Sequence, residues 1–401
     1  MSLLEKLGQP ECWERFYDYR TSRICSEQTK SELRQFIDRR DYAPVYEAIV
    51  RGERFPLAEK KVISKLESEK KRTVYTYPYA ENTVLKLLTY LLLRRYDGLF
   101  GKGLYSFRPN RTAKDAVHRL TGISGIGEMY SYKADISNYF NSVPLGFFLP
   151  VLEEAVGEDM ELYAFLSRLL TEPEVIFRGE RISEEKGIMA GTPLSAFYAN
   201  LYLRKLDLHF EEMGIPYARY SDDIILFAPD AAEAESCAEY VRGFLEEQGL
   251  SLNSDKEHFG APEEGWVFLG FSYNTGTVDI APTSVIKLKN KMRRKCRALE
   301  RWSSRSGIDG EKAAAAFIRI FNRKLFDNDD DSDLTWSRWF FPVINTADSL
   351  RVIDRYAQDC VRYLISGKRT KSRFNVRYED IKRLGLKDLV HEYYLVRENS
   401  K

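Results

Sequence analysis

Two adjacent carboxylates, Asp222 and Asp223, lie in a run of residues that otherwise favours β-structure. Residues 217–219 precede the Tyr-Ser-Asp-Asp segment at 220–223, and an Ile-Ile-Leu-Phe run follows it. Because side chains alternate across a strand, one Asp would face the core unless the pair lies in a turn between two short strands. Carboxylates held close together repel each other, and a divalent cation relieves that repulsion. The pair is interpreted as half of a metal site, with an ordinary surface hairpin turn as the alternative.

A third carboxylate, Asp135, lies in a second strand-like segment at residues 132–140. Two-metal phosphoryl transfer, as in polymerases, requires carboxylates that bridge two ions about 3.5–4 Å apart. One ion would lower the pKa of a primer 3′-hydroxyl, and the other would hold the triphosphate and neutralise the leaving pyrophosphate. Asp135 is therefore the expected third ligand beside Asp222 and Asp223.

The chain resembles reverse transcriptases of bacterial type in seven segments that follow the order of that family. The resemblance is strongest over about residues 60–280, and its motifs are specific as an ordered set. They are a fingers segment with Lys71, Arg72 and Pro78, a second fingers block at 106–111, palm motif A at 135–140, motif B at 187–203, motif C at 220–223, motif D at 249–256 and primer-grip motif E at 268–271.

The resemblance implies an α+β fold of the right-hand polymerase class, with fingers, a palm built on an antiparallel sheet, and a helical thumb. The expected domains are an N-terminal helical cap and fingers at 1–127, a palm at 128–280, and a basic helical thumb at 281–401. Within the palm range, residues 146–186 would lie beside the fingers with a hairpin near 175–182, and residues 261–280 would form the primer grip. Apolar and amphipathic patterns further predict helices at 79–97 and 231–249.

The resemblance also implies roles for individual residues. Asp135, Asp222 and Asp223 would bind the metals, with the backbone carbonyl of Ile136 as a further metal ligand. Lys256 resembles the motif D lysine that donates a proton to pyrophosphate, with an ordinary surface lysine as the alternative.

Further positions would contact the incoming nucleotide. Phe140 occupies the position of the ring that blocks a 2′-hydroxyl, although core packing is the alternative interpretation. Basic side chains form strong charge-assisted bonds to phosphate, so three of them are candidates to grip the triphosphate or template. These candidates are Lys71, Arg72 and Arg108. In motif B, Gly191 would let the backbone approach the nascent base pair, and Pro193 would fix the turn into a helix that begins near Leu194 or Ser195.

Motif B departs from the family at Ala190, where a Gln is usual. The missing amide puts ordinary fidelity and template use in doubt, but it leaves the metal chemistry unchanged.

A basic segment predicts contact with nucleic acid, although the net charge of the chain is only +1. From residue 285 to residue 305 there are nine basic residues against one acid, with a sparse apolar stripe of Val285, Leu288, Met292 and Leu299 at helical spacing. Such a helix can follow a phosphate backbone, and a solvated helix face is the alternative. The nucleic-acid-binding candidates are Lys287, Lys289, Lys291, Arg293, Arg294 and Arg297, and the expected primer grip is Phe268, Leu269, Gly270 and Phe271.

The motif B variant and the tail resemble the unclassified, defence-associated bacterial enzymes, which are relatives of group II intron and retron enzymes. That context implies antiviral defence with a noncoding RNA as the template. A group II intron maturase remains an alternative, although no Cys-rich endonuclease region follows the thumb. A retron enzyme is another, although the Val-Thr-Gly signature is absent. Untemplated or protein-primed DNA synthesis, an RNA-dependent RNA polymerase and a polymerase fold that only binds RNA or a partner protein also stay open.

The expected cofactor is Mg²⁺, with Mn²⁺ as the alternative. The expected partners are a template RNA, a DNA product and dNTPs, and either a homo-oligomer or a partner protein from the same locus remains open. No apolar run approaches the ~20 residues of a membrane span, so no membrane partner and a cytoplasmic location are expected. Five scattered cysteines without a Cys-x-x-Cys pair predict buried or idle thiols rather than a zinc site or disulfides.

Overall fold

The computed structural model describes residues 2–22, 25–64, 71–326 and 335–399. The acidic segment at 327–333, whose sequence indicates a solvated connection, lies outside these ranges. The described chain divides into two compact units, Met1–Pro262 and Glu263–Lys401. The first unit contains the segments predicted as fingers and palm, and the second contains almost all of the predicted primer grip together with the helical C-terminal region.

The first unit combines helices with two four-stranded sheets. Its helices are α1 Pro10–Thr21, α2 Glu27–Asp38, α3 Ala43–Val50, α4 Tyr79–Arg95, α5 Ala113–Thr121, α6 Tyr139–Ser142, α7 Leu145–Val156, α8 Met160–Thr171, α9 Ser195–Tyr202, α10 Arg204–Glu212 and α11 Ala231–Glu247. Its strands are β1 Glu59–Ser64, β2 Lys71–Thr76, β3 Tyr130–Asp135, β4 Glu174–Phe177, β5 Glu180–Ser183, β6 Tyr217–Tyr220, β7 Asp223–Ala228 and β8 His258–Gly260. The helices predicted at 79–97 and 231–249 are therefore confirmed as α4 and α11.

An antiparallel sheet with the strand order β6-β7-β3-β8 forms the predicted palm. Its central strand β7 has a continuous apolar run, and Ile224 to Ala228 are all buried. A run of this kind, without polar alternation, is typical of a strand covered on both faces. The helix α11 packs against β3 and β7. The α+β class and the antiparallel palm are thus confirmed.

A second sheet, ordered β2-β1-β4-β5, joins the fingers strands to the hairpin predicted near 175–182. The strands β1 and β2 are antiparallel, whereas β4 meets β1 in parallel. The hairpin turns at Arg178 and Gly179, which both have positive φ, as a two-residue turn matched to the strand twist requires. In this sheet, the hairpin of the 146–186 segment pairs with strand β1.

The second unit holds a small antiparallel sheet and helices. The strands are β9 Trp266–Phe268, β10 Phe271–Asn274 and β11 Thr277–Ile280, and the helices are α12 Pro282–Ser306, α13 Gly310–Phe326, α14 Trp336–Phe340, α15 Asp348–Ser366, α16 Tyr378–Arg383 and α17 Leu389–Glu398. All four residues of the predicted apolar stripe on α12 are buried, together with Cys296. The predicted basic helix is therefore present, and its apolar stripe packs inside the unit.

The structure can also be compared with the sequence predictions for the domain ranges, the cysteines and membrane spans. The two-unit division differs from the three predicted ranges, because residues 263–280 belong with the C-terminal helices rather than with the palm. No disulfide joins any of the five cysteines, and four of them are buried. Within the described ranges, no helix is both long enough and apolar enough to cross a membrane.

Candidate active site

Strand pairing brings the three predicted carboxylates to one end of the palm sheet. The antiparallel register of β3 and β7 places Asp135 opposite Asp223. The hairpin of β6 and β7 turns through Ser221 and Asp222, and Ser221 has a left-handed φ of 62°. The backbone N–H of Ile136 donates to the carbonyl oxygen of Asp222 at 3.2 Å, which ties the turn to the end of β3. Asp222 therefore lies in the hairpin turn, Asp223 begins β7, and Asp135 lies across from Asp223.

Burial and mutual repulsion both act on these acids. Burial raises the pKa of Asp222, and the nearby carboxylate of Asp135 raises it further. Burial likewise raises the pKa of Asp223 to about 6, with Lys133 opposing the increase and the other two carboxylates adding to it. Such a cluster carries negative charge that a cation would stabilise.

The ammonium of Lys256 supplies a positive charge at this point. Its Nζ lies 2.7 Å from Oδ1 of Asp135, and its side chain is 54% exposed. Burial alone would lower the pKa of Lys256, but the hydrogen bond to Asp135 and the charges of the other two carboxylates raise it. Lys256 therefore stays protonated at neutral pH beside the carboxylates, which is where a proton donor to the leaving group would be needed.

The donor set fits a hard divalent cation, because carboxylate oxygens are the ligands that Mg²⁺ and Mn²⁺ prefer. The ammonium of Lys256 pairs with Asp135, so the three acids share this site with one basic group. Over the described ranges, no group of three or more His, Cys, Asp and Glu side chains converges as a ready-made metal site. The fit thus rests on the chemistry and electrostatics of the three acids, and the identity of the ion remains a prediction.

A buried ion pair beneath the hairpin supports the Asp222 turn. Arg219 on β6 donates from Nε and Nη2 to Asp207 on α10 at 2.7 and 2.6 Å, and both side chains are fully buried. Its Nη1 donates to the carbonyl oxygen of Ser221 at 3.0 Å, and the Tyr217 hydroxyl donates to Asp207 at 2.8 Å. The sequence interpretation missed this pair, although a charged Arg219 inside an apolar strand run was a signal for it.

Asn141 is a second residue that the sequence interpretation missed. Its Nδ2 donates to the carbonyl oxygen of Thr73 on β2 at 3.1 Å, and its Oδ1 accepts the backbone N–H of Ala190 at 3.0 Å. The N–H of Tyr75 in turn donates to the carbonyl oxygen of Ala190 at 2.7 Å. One amide side chain therefore joins motif A, motif B and the fingers strand. Its position directly after Phe140 was the available signal.

Position 191 requires glycine because the fingers strand β2 leaves no room for a side chain there. Gly191 has a φ of 95°, and a Cβ built there would lie 3.0 Å from Cβ of Val74 and 3.1 Å from the carbonyl oxygen of Tyr75. A larger residue would have to push β2 away from motif B. The helix predicted to begin near Leu194 or Ser195 is confirmed as α9.

The other predicted nucleotide-binding residues are positioned as follows. Phe140 is half-buried beside the ring of Tyr139 at 5.5 Å, and its carbonyl oxygen accepts the N–H of Ile188 at 2.8 Å. Lys71 and Arg72 are exposed at the start of β2. Their roles toward a nucleotide stay predictions.

The prediction that Arg108 grips phosphate is wrong. The side chain is buried, and its guanidinium makes a bidentate pair with Asp97 at 2.7 and 2.9 Å. It also donates to the carbonyl oxygens of Gly101 and Asp97. Arg108 thus holds the loop around residues 97–104 together, and its donors point into the protein.

The predicted primer grip is the turn of the β9–β10 hairpin. Phe268 and Phe271 face each other across the hairpin and are fully buried, while Leu269 and Gly270 form a two-residue turn with φ of 51° and 87°. Only the turn residues are partly accessible, so a contact with a primer would involve the backbone at Leu269 and Gly270.

The basic candidates on α12 mostly point to solvent. Five of the six are exposed, namely Lys287, Lys291, Arg293, Arg294 and Arg297. Lys289 is half-buried, and its ammonium lies 5.0 Å from the ring centroid of Tyr356. The helix therefore presents a basic face, as its sequence predicts.

The sequence of this chain was compared with protein families and with curated proteins. The family model described as reverse transcriptase (RNA-dependent DNA polymerase) matches residues 63–273. The retron Mx65 reverse transcriptase of Myxococcus xanthus is 23% identical over 234 residues, which are 54% of this chain and 51% of that protein. This chain therefore spans about half the length of that curated relative.

Among solved structures, the apo telomerase of Candida tropicalis is similar at a TM-score of 0.47 and 11% identity, over 82% of this chain and 69% of that one. The telomerase of Candida albicans, in complex with a fragment of telomeric RNA, has a TM-score of 0.44 and 10% identity, over 84% and 67%. Both similarities are weak. The family match is decisive, because it covers more than half of the chain, including Asp135, Asp222 and Asp223. The chain belongs to the reverse transcriptase (RNA-dependent DNA polymerase) family.

Proposed function

We propose that this protein is an RNA-directed DNA polymerase that adds dNTPs to a primer 3′-hydroxyl. The observation that carries this proposal is the register of β3 and β7, which sets Asp135 opposite Asp223 and next to the turn that contains Asp222. The family match supplies the reaction class, and the intact carboxylates argue against a polymerase fold that only binds RNA or a partner protein.

The proposed mechanism assigns each role to a residue already described. Asp135, Asp222 and Asp223 would hold two divalent cations, Mg²⁺ or Mn²⁺. When bound, such ions activate the primer hydroxyl and stabilise charge on the leaving pyrophosphate. Lys256 lies beside these carboxylates and would give its proton to the pyrophosphate. Arg219 holds the Ser221 carbonyl, and through it the turn that presents Asp222.

The decisive experiment is divalent-metal-dependent incorporation of labelled dNTPs on a primed RNA template. Asp222→Asn together with Asp223→Asn should reduce incorporation by at least about 10³-fold, because metal-held charge contributes several kcal/mol to the transition state. Asp255→Asn is the matched control, since it removes an exposed carboxylate close in sequence to Lys256 but outside the cluster. Equal incorporation by the wild type and the double variant would refute the enzymatic proposal.

Selection of deoxynucleotides is proposed for Phe140. The half-buried ring would occupy the space that a 2′-hydroxyl needs, and Phe140→Ala should increase the use of ribonucleotides. The ratio of kcat/KM for dNTP and rNTP measures this directly. No gain in ribonucleotide use would show that Phe140 only packs the core, whereas strong ribonucleotide use by the wild type would favour an RNA polymerase.

Binding of the template–primer is proposed for the basic face of α12. Its exposed Lys and Arg side chains would neutralise phosphates and release counterions, so the affinity should fall steeply as salt increases. A complex whose affinity is insensitive to salt would contradict this assignment.

We further propose a dedicated noncoding RNA as the template and a role in antiviral defence. The resemblance of the Ala-Gly-Thr-Pro-Leu-Ser variant of motif B to defence-associated enzymes supports this class. Sequencing the RNA that co-purifies from the native locus tests it. One dominant small RNA with matching cDNA would support the proposal, an intron RNA would indicate a maturase, and DNA synthesis without bound RNA would indicate untemplated or protein-primed polymerisation.

A further inference from the structure

An arginine-rich cavity of about 280 Å³ lies within the second unit, where α12 and α15 meet the short 3₁₀ helix at Lys371–Asn375. Four guanidinium groups and one carboxylate contribute the charges of its lining, so it carries an excess of three positive charges. These residues are Arg293, Arg297, Arg369, Arg373 and Asp359. A concave site with this charge favours a small, multiply charged anion.

Three of the guanidinium groups are accessible to a ligand. Arg293 and Arg297 are exposed on α12, and neither has an ion-pair partner among the residues that the structure describes. The Arg369 side chain is exposed and rests over the ring of Tyr363, with 5.1 Å from its Cζ to the ring centroid. It also donates to the Tyr363 hydroxyl at the long distance of 3.4 Å. A phosphate would offer these groups better acceptors than they have now.

The fourth guanidinium is only partly satisfied. Arg373 lies 3.6 Å from Asp359, which also pairs with Arg362 at 3.5 Å. Its Nη1 donates to the carbonyl oxygen of Arg369 at 2.8 Å, whereas its buried Nε lacks an acceptor in the described part of the chain. An unpaired buried donor costs free energy, so the contacts of this guanidinium within the chain are incomplete.

The positive charge of the arginines also acts on the thiol of Cys296, which lines the cavity. The hydrogen bond with Cys360 lowers the pKa of the Cys296 thiol, and the guanidinium groups of Arg369 and Arg297 lower it further. The ring of Tyr356 is a half-buried part of the lining and offers an aromatic surface next to the arginines. An aromatic ring beside phosphate-binding groups suits a nucleotide, because bases stack on such rings.

We propose that this cavity binds the terminal phosphate of a nucleic-acid strand, with the end nucleotide against Tyr356. A terminal phosphate carries close to two negative charges near pH 7, whereas each phosphodiester along a strand carries one. Three excess positive charges concentrated on one cavity therefore match a strand end better than a position inside a strand. The inference rests on the proposed function, because it assumes that the second unit meets nucleic acid.

The test compares two RNAs of the same sequence, one with a 5′-phosphate and one with a 5′-hydroxyl, by fluorescence anisotropy on the full chain. The wild type should bind the phosphorylated RNA at least about tenfold more tightly, as one added charge-assisted contact implies. Arg369→Gln and Arg293→Gln should each reduce this ratio toward one. Both residues are exposed, so neither substitution threatens the fold. Arg301→Gln is the matched control, since Arg301 is exposed on α12 but outside the cavity, and it should leave the ratio unchanged.

Equal affinity of the wild type for the two RNAs would overturn the inference, and so would a preference that survives both cavity variants. Binding of free AMP as tightly as the phosphorylated RNA would also overturn it, because the ligand would then be a free nucleotide. Any of these results with normal dNTP incorporation would leave the proposed polymerase function intact. A failure of that function would appear separately, as incorporation that does not depend on Asp222 and Asp223.

Discussion

Arg219 and Asp207 offer the sharpest test of how the palm holds the turn that contains Asp222. Both side chains are fully buried, and two hydrogen bonds of 2.6 and 2.7 Å join them. Replacing Arg219 with Met keeps the side-chain length but leaves the carboxylate of Asp207 without its counter-ion. The substitution also removes the donor to the Ser221 carbonyl oxygen. We expect a large loss of stability and a displaced Asp222 turn.

The size of the expected stability loss follows from the burial of both side chains. Breaking a buried ion pair on one side costs about 3–5 kcal/mol, because the remaining charge stays desolvated. The lost bond to the Ser221 carbonyl adds roughly 1 kcal/mol. Since whole domains are stable by about 5–15 kcal/mol, Arg219→Met should bring the first unit close to unfolding. The double variant Arg219→Met/Asp207→Leu should be more stable than the sum of the single changes predicts, because it removes both charges.

The assay is a double-mutant cycle from urea denaturation, followed by circular dichroism, on the wild type, both single variants and the double variant. A coupling of at least about 2 kcal/mol is expected for residues in direct contact. Arg242→Met is the control, because Arg242 makes partly exposed pairs with Glu235 and Glu257 and should cost no more than about 1 kcal/mol. Single-variant costs below about 1 kcal/mol, or strictly additive costs, would refute the reasoning.

Three further predictions concern the nucleotide site, the proton donor and the second unit. Asn141→Leu leaves the Ala190 N–H without its partner and should lower kcat/KM for dNTPs about tenfold or more, with an unchanged circular dichroism spectrum. An unaltered kcat/KM would show that this bridge is dispensable. Lys256→Gln should lower kcat more than it raises KM and should flatten the alkaline limb of the pH–rate profile, whereas an unchanged profile would exclude Lys256 as the acid. Burial raises the pKa of Asp354 to about 7 from its usual 3.8, so its contribution to stability is present at low pH and is lost as the pH rises through 7. In urea denaturation, the stability of the wild type relative to Asp354→Asn should therefore fall between about pH 4 and about pH 7 and level off above that, and a constant difference would contradict this.

Local patterns in the sequence were sufficient to predict several helices and strands and to single out the three acids. The apolar stripe of α12 was predictable because buried positions recur at the helical period, and all four predicted members are buried. The Asp222 turn was predictable because two adjacent acids inside a strand-like run can both be presented only by a turn. Asp135 followed from the chemistry that such a pair requires. Each of these conclusions depends on residues close together in the chain.

The tertiary structure alone decided which polar residues support the site. Arg108 lies in the second fingers block and Arg219 directly precedes motif C, yet Arg108 holds a loop through Asp97 and Arg219 holds the Asp222 turn with Asp207 as its counter-ion. Likewise, the bridge from Asn141 to Thr73 spans parts of the chain that no local pattern connects. The sequence by itself determined the element types and the candidate metal-binding acids, since period, turn chemistry and charge repulsion are local properties. Only the tertiary structure decided the partner of each buried charge, because a desolvated charge must find its counter-ion wherever the fold brings one into contact.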